Sequence, residues 1–433
     1  MGGFAPSASL VVTASNEGEE GGVVVVEVLL EPFVLNLRSA FGTSHSTTSQ
    51  RTNALVTVRR GGAGVLEGLQ GFGEAGLPPK KAEVYEADYA DCVEYTAQYF
   101  VHAARELPGT LGRGWYCHVD AYVQGSALPA ALPPSARAPG GGGGTGGGRG
   151  LAALMEAPGE LLVEERVARA LLGALDTHPL AARPFSRAAG SALEVALVSF
   201  WAAARGQPVY EFLGLGPALE PPRFTYYTAA LDEIGEMEAS ARMGRQHTSY
   251  IKVKLDGDIG KGLSILSRLA AACPPPPGAA PGARLWSVDA NSAWDPPRAL
   301  DFLTRAAPIF MVEQPFPADL ARAPPGPPGS AYDRAGWVEF KAACEARGVL
   351  VFADESVRTK EDMLPLAPYV HGVNLKMEKA GGFRAAMAAA EGARRAGLRV
   401  WLGCMVGSAI NSTATAHLAG ECDSAVDLDD GRE

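Results

Sequence analysis

Apolar residues in the second half of the chain come in short bursts, each running into polar or charged residues and each followed by a stretch with helical spacing. The bursts are FTYYTAA (224–230), SYIKVKL (249–255), RLWSVDA (284–290), PIFMVEQ (308–314), VLVFADE (349–355), HGVNLKM (371–377), LRVWLG (398–403) and SAVDLD (424–429). Short β-rich runs alternating with helices are the pattern of a parallel sheet. Eight such runs with seven helical segments between them predict a barrel whose last strand has no closing helix. The proline-rich stretches near 280 and 326 read as enlarged loops between elements.

The first half has a different rhythm. VVVVEVLLEPFVLNL from Val23, a polar connection AFGTSHSTTSQRTN and then ALVTVRR predict two antiparallel strands, with a third at LEGLQGFGEA. Residues 78–106 carry helical spacing, with Tyr85, Tyr89, Cys92 and Val93 on one face, and two more helices are expected over 161–175 and 191–205. An α+β unit over 23–220 is therefore expected before the barrel unit at 221–433. Residues 1–22 are expected to be a disordered tail, and the glycine-rich 129–150 a flexible insert.

Composition narrows the function. The chain has 433 residues, 47% hydrophobic and 20% charged, with a formal net charge of −10 and scattered positive residues. No basic face exists for a phosphate backbone, so nucleic acid is not expected as a partner. No apolar run is long enough to span a membrane. Six widely spaced cysteines without a C-x-x-C pair suit a reducing compartment, and a cytoplasmic location is expected.

The chemistry is expected at the C-terminal ends of the barrel strands, where the loops converge. Asp289, Glu313 and Asp354 end three successive strands, and three carboxylates meeting at one rim repel unless a hard cation lies between them. Mg²⁺ is the natural occupant. Lys252 and Lys254 are two apart and face the same way on a strand, while Lys376 lies four strands on, at the opposite wall. Asn291 and Glu355 extend the polar rim as supporting residues. Ammonium groups flanking a cation suit removal of a proton beside a carboxylate, with charge gathering on oxygens that the cation already touches. A base on each face permits inversion of the carbon.

The ordered motifs K-V-K, S-V-D-A-N, V-E-Q-P, A-D-E-S and N-L-K followed by G-G resemble the muconate-lactonising subgroup of the enolase superfamily, over roughly residues 23–429. The use of a Lys or His base with magnesium is a known trait of that superfamily. The resemblance implies an N-terminal α+β capping domain and a modified TIM barrel of (β/α)7β form. It implies Asp289, Glu313 and Asp354 as magnesium ligands, Lys254 and Lys376 as acid/base residues, and Lys252 as a residue that tunes the site. Thr228 resembles a position lining the substrate pocket, and Phe41 to Asn53, with Arg51, occupies the place of a mobile loop over the substrate.

Asp427-Leu428-Asp429 resembles the D-x-D with which dipeptide epimerases hold the substrate's amino terminus. The expectation is thus a magnesium-dependent dipeptide epimerase working through an enediolate, often oligomeric in this family. A cycloisomerase, an o-succinylbenzoate synthase, an N-acylamino acid racemase or a non-catalytic relative are the alternatives. Glu74, in G-F-G-E, is read as part of a turn near the seam between cap and barrel.

Overall fold

The computed structural model describes residues 7–16, 24–42, 47–61, 68–80, 85, 87–111, 115–123, 163–180, 186–215 and 225–423. Its first half is an antiparallel sheet of β1 (Ala8–Asn16), β2 (Val24–Gly42), β3 (Thr47–Gly61), β4 (Gln70–Ala75) and β5 (Trp115–Val123), in the order β4-β3-β2-β1-β5. Alternation dictates which face is buried. Leu10, Val12 and Ala14 of β1, Val26, Val28 and Leu30 of β2 and Val56 and Val58 of β3 point into one core. On the opposite face Glu27 and Arg59, register partners on β2 and β3, form an ion pair at 2.6 Å.

Strand β1 corrects the expectation of a disordered tail. Residues 8–14 pair with both β2 and β5, and 15–16 with β5, because S-L-V-V-T-A alternates buried and half-buried positions like any strand with one face on a core. Residues 1–6 and 17–23, like the insert at 129–150, lie outside the described residues.

Helices α1 (Tyr89–Thr110), α2 (Val163–Thr177) and α3 (Ser186–Ala204) pack on this sheet. Helix α1 starts at a capping box in which Asp88 and Asp91 each accept the other's backbone N–H. Helix α3 lies so close to β4 that a Cβ on Gly71 or Gly73 would fall 2.2 or 2.0 Å from a carbonyl oxygen of α3. The glycines of Q-G-F-G are thus a requirement of packing, and Glu74 follows them on a strand, where a turn was expected.

A short helix α4 (Val209–Phe212) precedes the second sheet. This is β6 (Tyr226–Ala229), β7 (Tyr250–Lys254), β8 (Trp286–Asp289), β9 (Met311–Glu313), β10 (Leu350–Ala353), β11 (Gly372–Leu375) and β12 (Arg399–Leu402), all parallel and paired in sequence order. These seven strands fall on the first seven predicted runs. The eighth run, with Asp427 and Asp429, lies outside the described residues. The chain leading to it is docked on β12, since the Asp423 N–H donates to the Val400 carbonyl at 3.0 Å.

The connecting helices are α5 (Ile234–Arg245), α6 (Ile259–Ala272), α7 (Pro296–Arg305), α8 (Arg334–Glu345), α9 (Met363–Leu366), α10 (Met377–Ala380), α11 (Phe383–Arg395) and α12 (Ala409–His417). Between β10 and β11 the expected helix is reduced to α9 and one 3₁₀ turn at Lys360–Asp362. Among the described residues no helix is long and apolar enough to cross a membrane.

Two buried contacts fix the first unit on the second. Glu74 accepts from the Asn53 amide at 2.7 Å and from the backbone N–H and hydroxyl of Ser408, the N-cap of α12. A carboxylate at a helix N-terminus is favourably placed against the helix dipole. Glu194 of α3 accepts from the guanidinium and backbone N–H of Arg384, at the start of α11.

Candidate active site

Most positions of the short parallel strands are buried, so polar residues there need partners. Lys252 and Lys254 leave β7 on one face, Asp289 ends β8, Glu313 ends β9, Asp354 follows β10, and Asn374 and Lys376 leave β11 on one face. None of these seven residues exposes more than 9% of its surface. One carboxylate oxygen from each of Asp289, Glu313 and Asp354 lies within 4.8 Å of the other two.

The partners of these acids follow a common plan. Asp289 Oδ1 accepts from the Asn291 backbone N–H at 2.9 Å, and Oδ2 from Lys254 Nζ at 2.5 Å. Glu313 Oε1 accepts from the Asn374 amide at 2.8 Å, and Oε2 from Lys252 Nζ at 2.7 Å. Asp354 Oδ1 accepts from Lys379 Nζ at 2.5 Å, and Oδ2 from Lys376 Nζ at 2.7 Å. Lys252 also donates to the Tyr226 hydroxyl at 3.0 Å and sits over that ring. Tyr226 in turn stacks on Trp401 of β12, linking the two terminal strands of the described sheet.

Electrostatics follow from this pairing. Burial alone would drive Lys252 and Lys376 towards neutrality, but Glu313 beside the first and Asp354 beside the second outweigh it and raise both well above the ordinary lysine value. Lys379 goes the other way, lowered because burial exceeds the pull of Asp354. Asp354 resists burial through Lys376 and Lys379, which hold it below the usual carboxylate range. Glu355 is pushed up to about 7, first by burial and then by Asp354 and Asp289.

The backbone around these groups is strained. Asn291, Ser292 and Gln314, the three non-glycine residues with positive φ among those described, all lie just past β8 and β9. Such conformations persist only where surrounding contacts impose them. Here Gln314 donates to Ser356 and accepts from the Asp354 N–H, tying the loop after β9 to the loop after β10. Asn291 donates to Glu355 at 2.9 Å, and Tyr85 reaches the same carboxylate from the N-terminal unit at 3.4 Å. A small cavity of about 40 Å³ opens beside Tyr85, lined by Leu77, Arg358, Glu378 and Met405 among others.

The structure thus brings together Lys252, Lys254, Asp289, Asn291, Glu313, Asp354, Glu355 and Lys376. Thr228 is half-buried on β6, in register with Lys252. Arg51 is buried on β3. Asn374, Lys379, Gln314 and Tyr85 were not anticipated. Asn374 carried a signal in its place two residues before Lys376, and so did Lys379 in its place three residues after it, whereas Tyr85 arrives from 270 residues away.

The donor set suits a hard divalent cation. Three carboxylates converge, and Glu355 Oε2 is buried without a hydrogen-bond partner among the described residues.

Comparison with known proteins bears on this arrangement. An enolase superfamily member of Dictyostelium discoideum is 31% identical over 422 residues, covering 94% of this chain and 90% of that protein. The chain belongs to the enolase superfamily. A family profile described as "Enolase C-terminal domain-like" matches residues 236–430. An L-Ala-D/L-amino acid epimerase of Pedosphaera parvula is 31% identical over 241 residues, 54% of this chain and 61% of that enzyme, so the match spans about three-fifths of the epimerase. The solved dipeptide epimerase of Cytophaga hutchinsonii, complexed with Mg and D-Ala-L-Val, shares the fold at a TM-score of 0.60 and 19% identity, over 96% of this chain and 86% of that one. Cap and barrel are thus those of the superfamily.

Proposed function

We propose that the protein is an isomerase, a magnesium-dependent epimerase that inverts the α-carbon of a dipeptide by proton transfer between two lysines. The observation that carries this reading is that Lys254 and Lys376, on strands four places apart in the sheet, each reach a different acid of one carboxylate triad. Named epimerases among the relatives and the magnesium and dipeptide of a structural neighbour support it.

Asp289, Glu313 and Asp354 would hold the cation. When bound, Mg²⁺ supplies Lewis acidity toward the substrate's carboxylate, which lowers the cost of negative charge there. Lys254 Nζ and Lys376 Nζ, which lie on Asp289 and Asp354, would face the α-carbon from opposite sides. One takes its proton and the other returns one to the opposite face. Lys252 stays on Glu313 as a fixed positive charge beside Lys254. Thr228 belongs to the pocket wall, and the carboxylates of Asp427 and Asp429 would receive the substrate's ammonium group.

The test is proton exchange. A panel of dipeptides in D₂O with Mg²⁺, followed by proton NMR, should show deuterium entering one α-carbon together with the appearance of the second epimer. Exchange confined to N-acylated amino acids would move the assignment to an acylamino acid racemase, and exchange on neither would sink the epimerase reading.

A further inference from the structure

We infer that Lys379 is a positioning residue that sets the orientation of Asp354 for the cation, a role that rests on the metal reading above. The site holds four lysines, and three of them share a pattern. Lys252, Lys254 and Lys376 each contact one carboxylate oxygen of a different triad acid, while another donor takes the other oxygen. Lys379 is the exception. It is a second lysine on one acid, holding the oxygen of Asp354 that Lys376 does not, where the Asn291 N–H serves Asp289 and the Asn374 amide serves Glu313.

Its other contacts are of the same anchoring kind. Lys379 Nζ also donates to the Asp354 backbone carbonyl and lies 3.5 Å from the Asn374 carbonyl, so one ammonium group bridges the ends of β10 and β11. The side chain is 3% exposed and rises from the four-residue turn α10, whose N-cap is Lys376. Three acceptors around one nitrogen use all three of its N–H donors. That geometry leaves Lys379 no proton to share with a substrate and leaves the other oxygen of Asp354 to Lys376. The segment N-L-K-M-E-K therefore combines two functions: Lys376 is the lysine that moves, and Lys379 the one that holds still.

A positioning role and a purely electrostatic one predict opposite signs. A positive charge beside a cation site opposes the cation, so if Lys379 only neutralised Asp354, its removal would free a carboxylate and tighten Mg²⁺ binding. If it orients Asp354, removal loosens a ligand and weakens binding, as loss of outer-shell partners of metal ligands does, by about 10–100-fold. The experiment is calorimetric titration of the full chain with Mg²⁺ alone, for wild type, Lys379→Met, Lys379→Arg and Asp289→Asn.

The expected result is Mg²⁺ binding by wild type, abolished in Asp289→Asn, weakened about tenfold or more in Lys379→Met and restored to within about threefold in Lys379→Arg. Unchanged or tighter binding by Lys379→Met overturns the inference while leaving the metal site intact. No Mg²⁺ binding by wild type overturns the metal reading, and this inference with it. Should Lys379→Met not fold, Lys379→Gln, which keeps an N–H donor of shorter reach, is read against the same ratio.

Discussion

The two sheets of this protein bury polar residues on opposite terms. In the antiparallel cap sheet one face is wet, so Glu27 and Arg59 pair at the surface, where such a contact contributes at most about 1 kcal/mol. In the parallel sheet, buried on both faces, Lys252, Lys254, Asp289 and Glu313 sit where apolar side chains would be more stable. A charge on the first sheet says little about function. A charge on the second has to be compensated, and the compensation found is a set of lysine–carboxylate pairs around one point. The same residue types are therefore informative on the buried sheet and silent on the wet face of the cap sheet.

The largest separation between the halves should appear on deleting Lys252. Lys252→Met leaves Glu313 Oε2 buried without its ammonium partner, which should cost about 3–5 kcal/mol in urea denaturation of metal-free protein. Adding Mg²⁺ should recover a large part of that loss. In the cap, Leu10→Ala should cost about 2–5 kcal/mol by opening a cavity in β1, and Mg²⁺ should recover none of it. Equal responses to Mg²⁺ in the two variants would erase the contrast.

Acid should sharpen it from the other side. His178, at the end of α2 in the cap core among the rings of Tyr95, Tyr99 and His102, has its pKa lowered to about 4, first by burial and then by His102. Above pH 6.5 the imidazole is neutral in folded and unfolded chain alike. As pH falls from about 6.5 to 4 the unfolded chain takes up a proton that the folded one refuses, so stability is lost across that window. His178→Leu should remove about 2–3 kcal/mol of this acid loss between pH 7 and pH 4. His371 of the barrel, lowered to about 4 by burial, would leave its own share of the acid loss in place. The smallest effect is expected at the seam, where Ser408→Ala should cost about 1 kcal/mol as α12 loses its N-cap.

What the sequence revealed follows the same division. The seven described barrel strands fall on the predicted runs because each is a short β-rich burst with helical spacing on either side. The seven charged rim residues among those brought together were legible because a charge ending such a strand has few explanations. Strand β1 was hidden by its neighbours: the alternation in S-L-V-V-T-A is clear, but glycine and glutamate around it resemble a tail. The reduced helix between β10 and β11 was hidden for a different reason, since helical spacing persists in a segment that tertiary packing holds as two short turns. Tyr85 and the Glu74–Ser408 contact were beyond reach, because partners 270 and 334 residues away are set by how cap meets barrel.

The central claim, two lysines acting from opposite sides of one carboxylate triad, is tested most directly by following α-proton exchange of each epimer separately in Lys254→Ala and Lys376→Ala, using a dipeptide that wild type turns over with Mg²⁺. Each variant should lose exchange by roughly a thousandfold with one epimer, a different epimer for each variant, since an essential acid/base group contributes about 10²–10⁴-fold. Substantial exchange of both epimers by either variant would contradict the account.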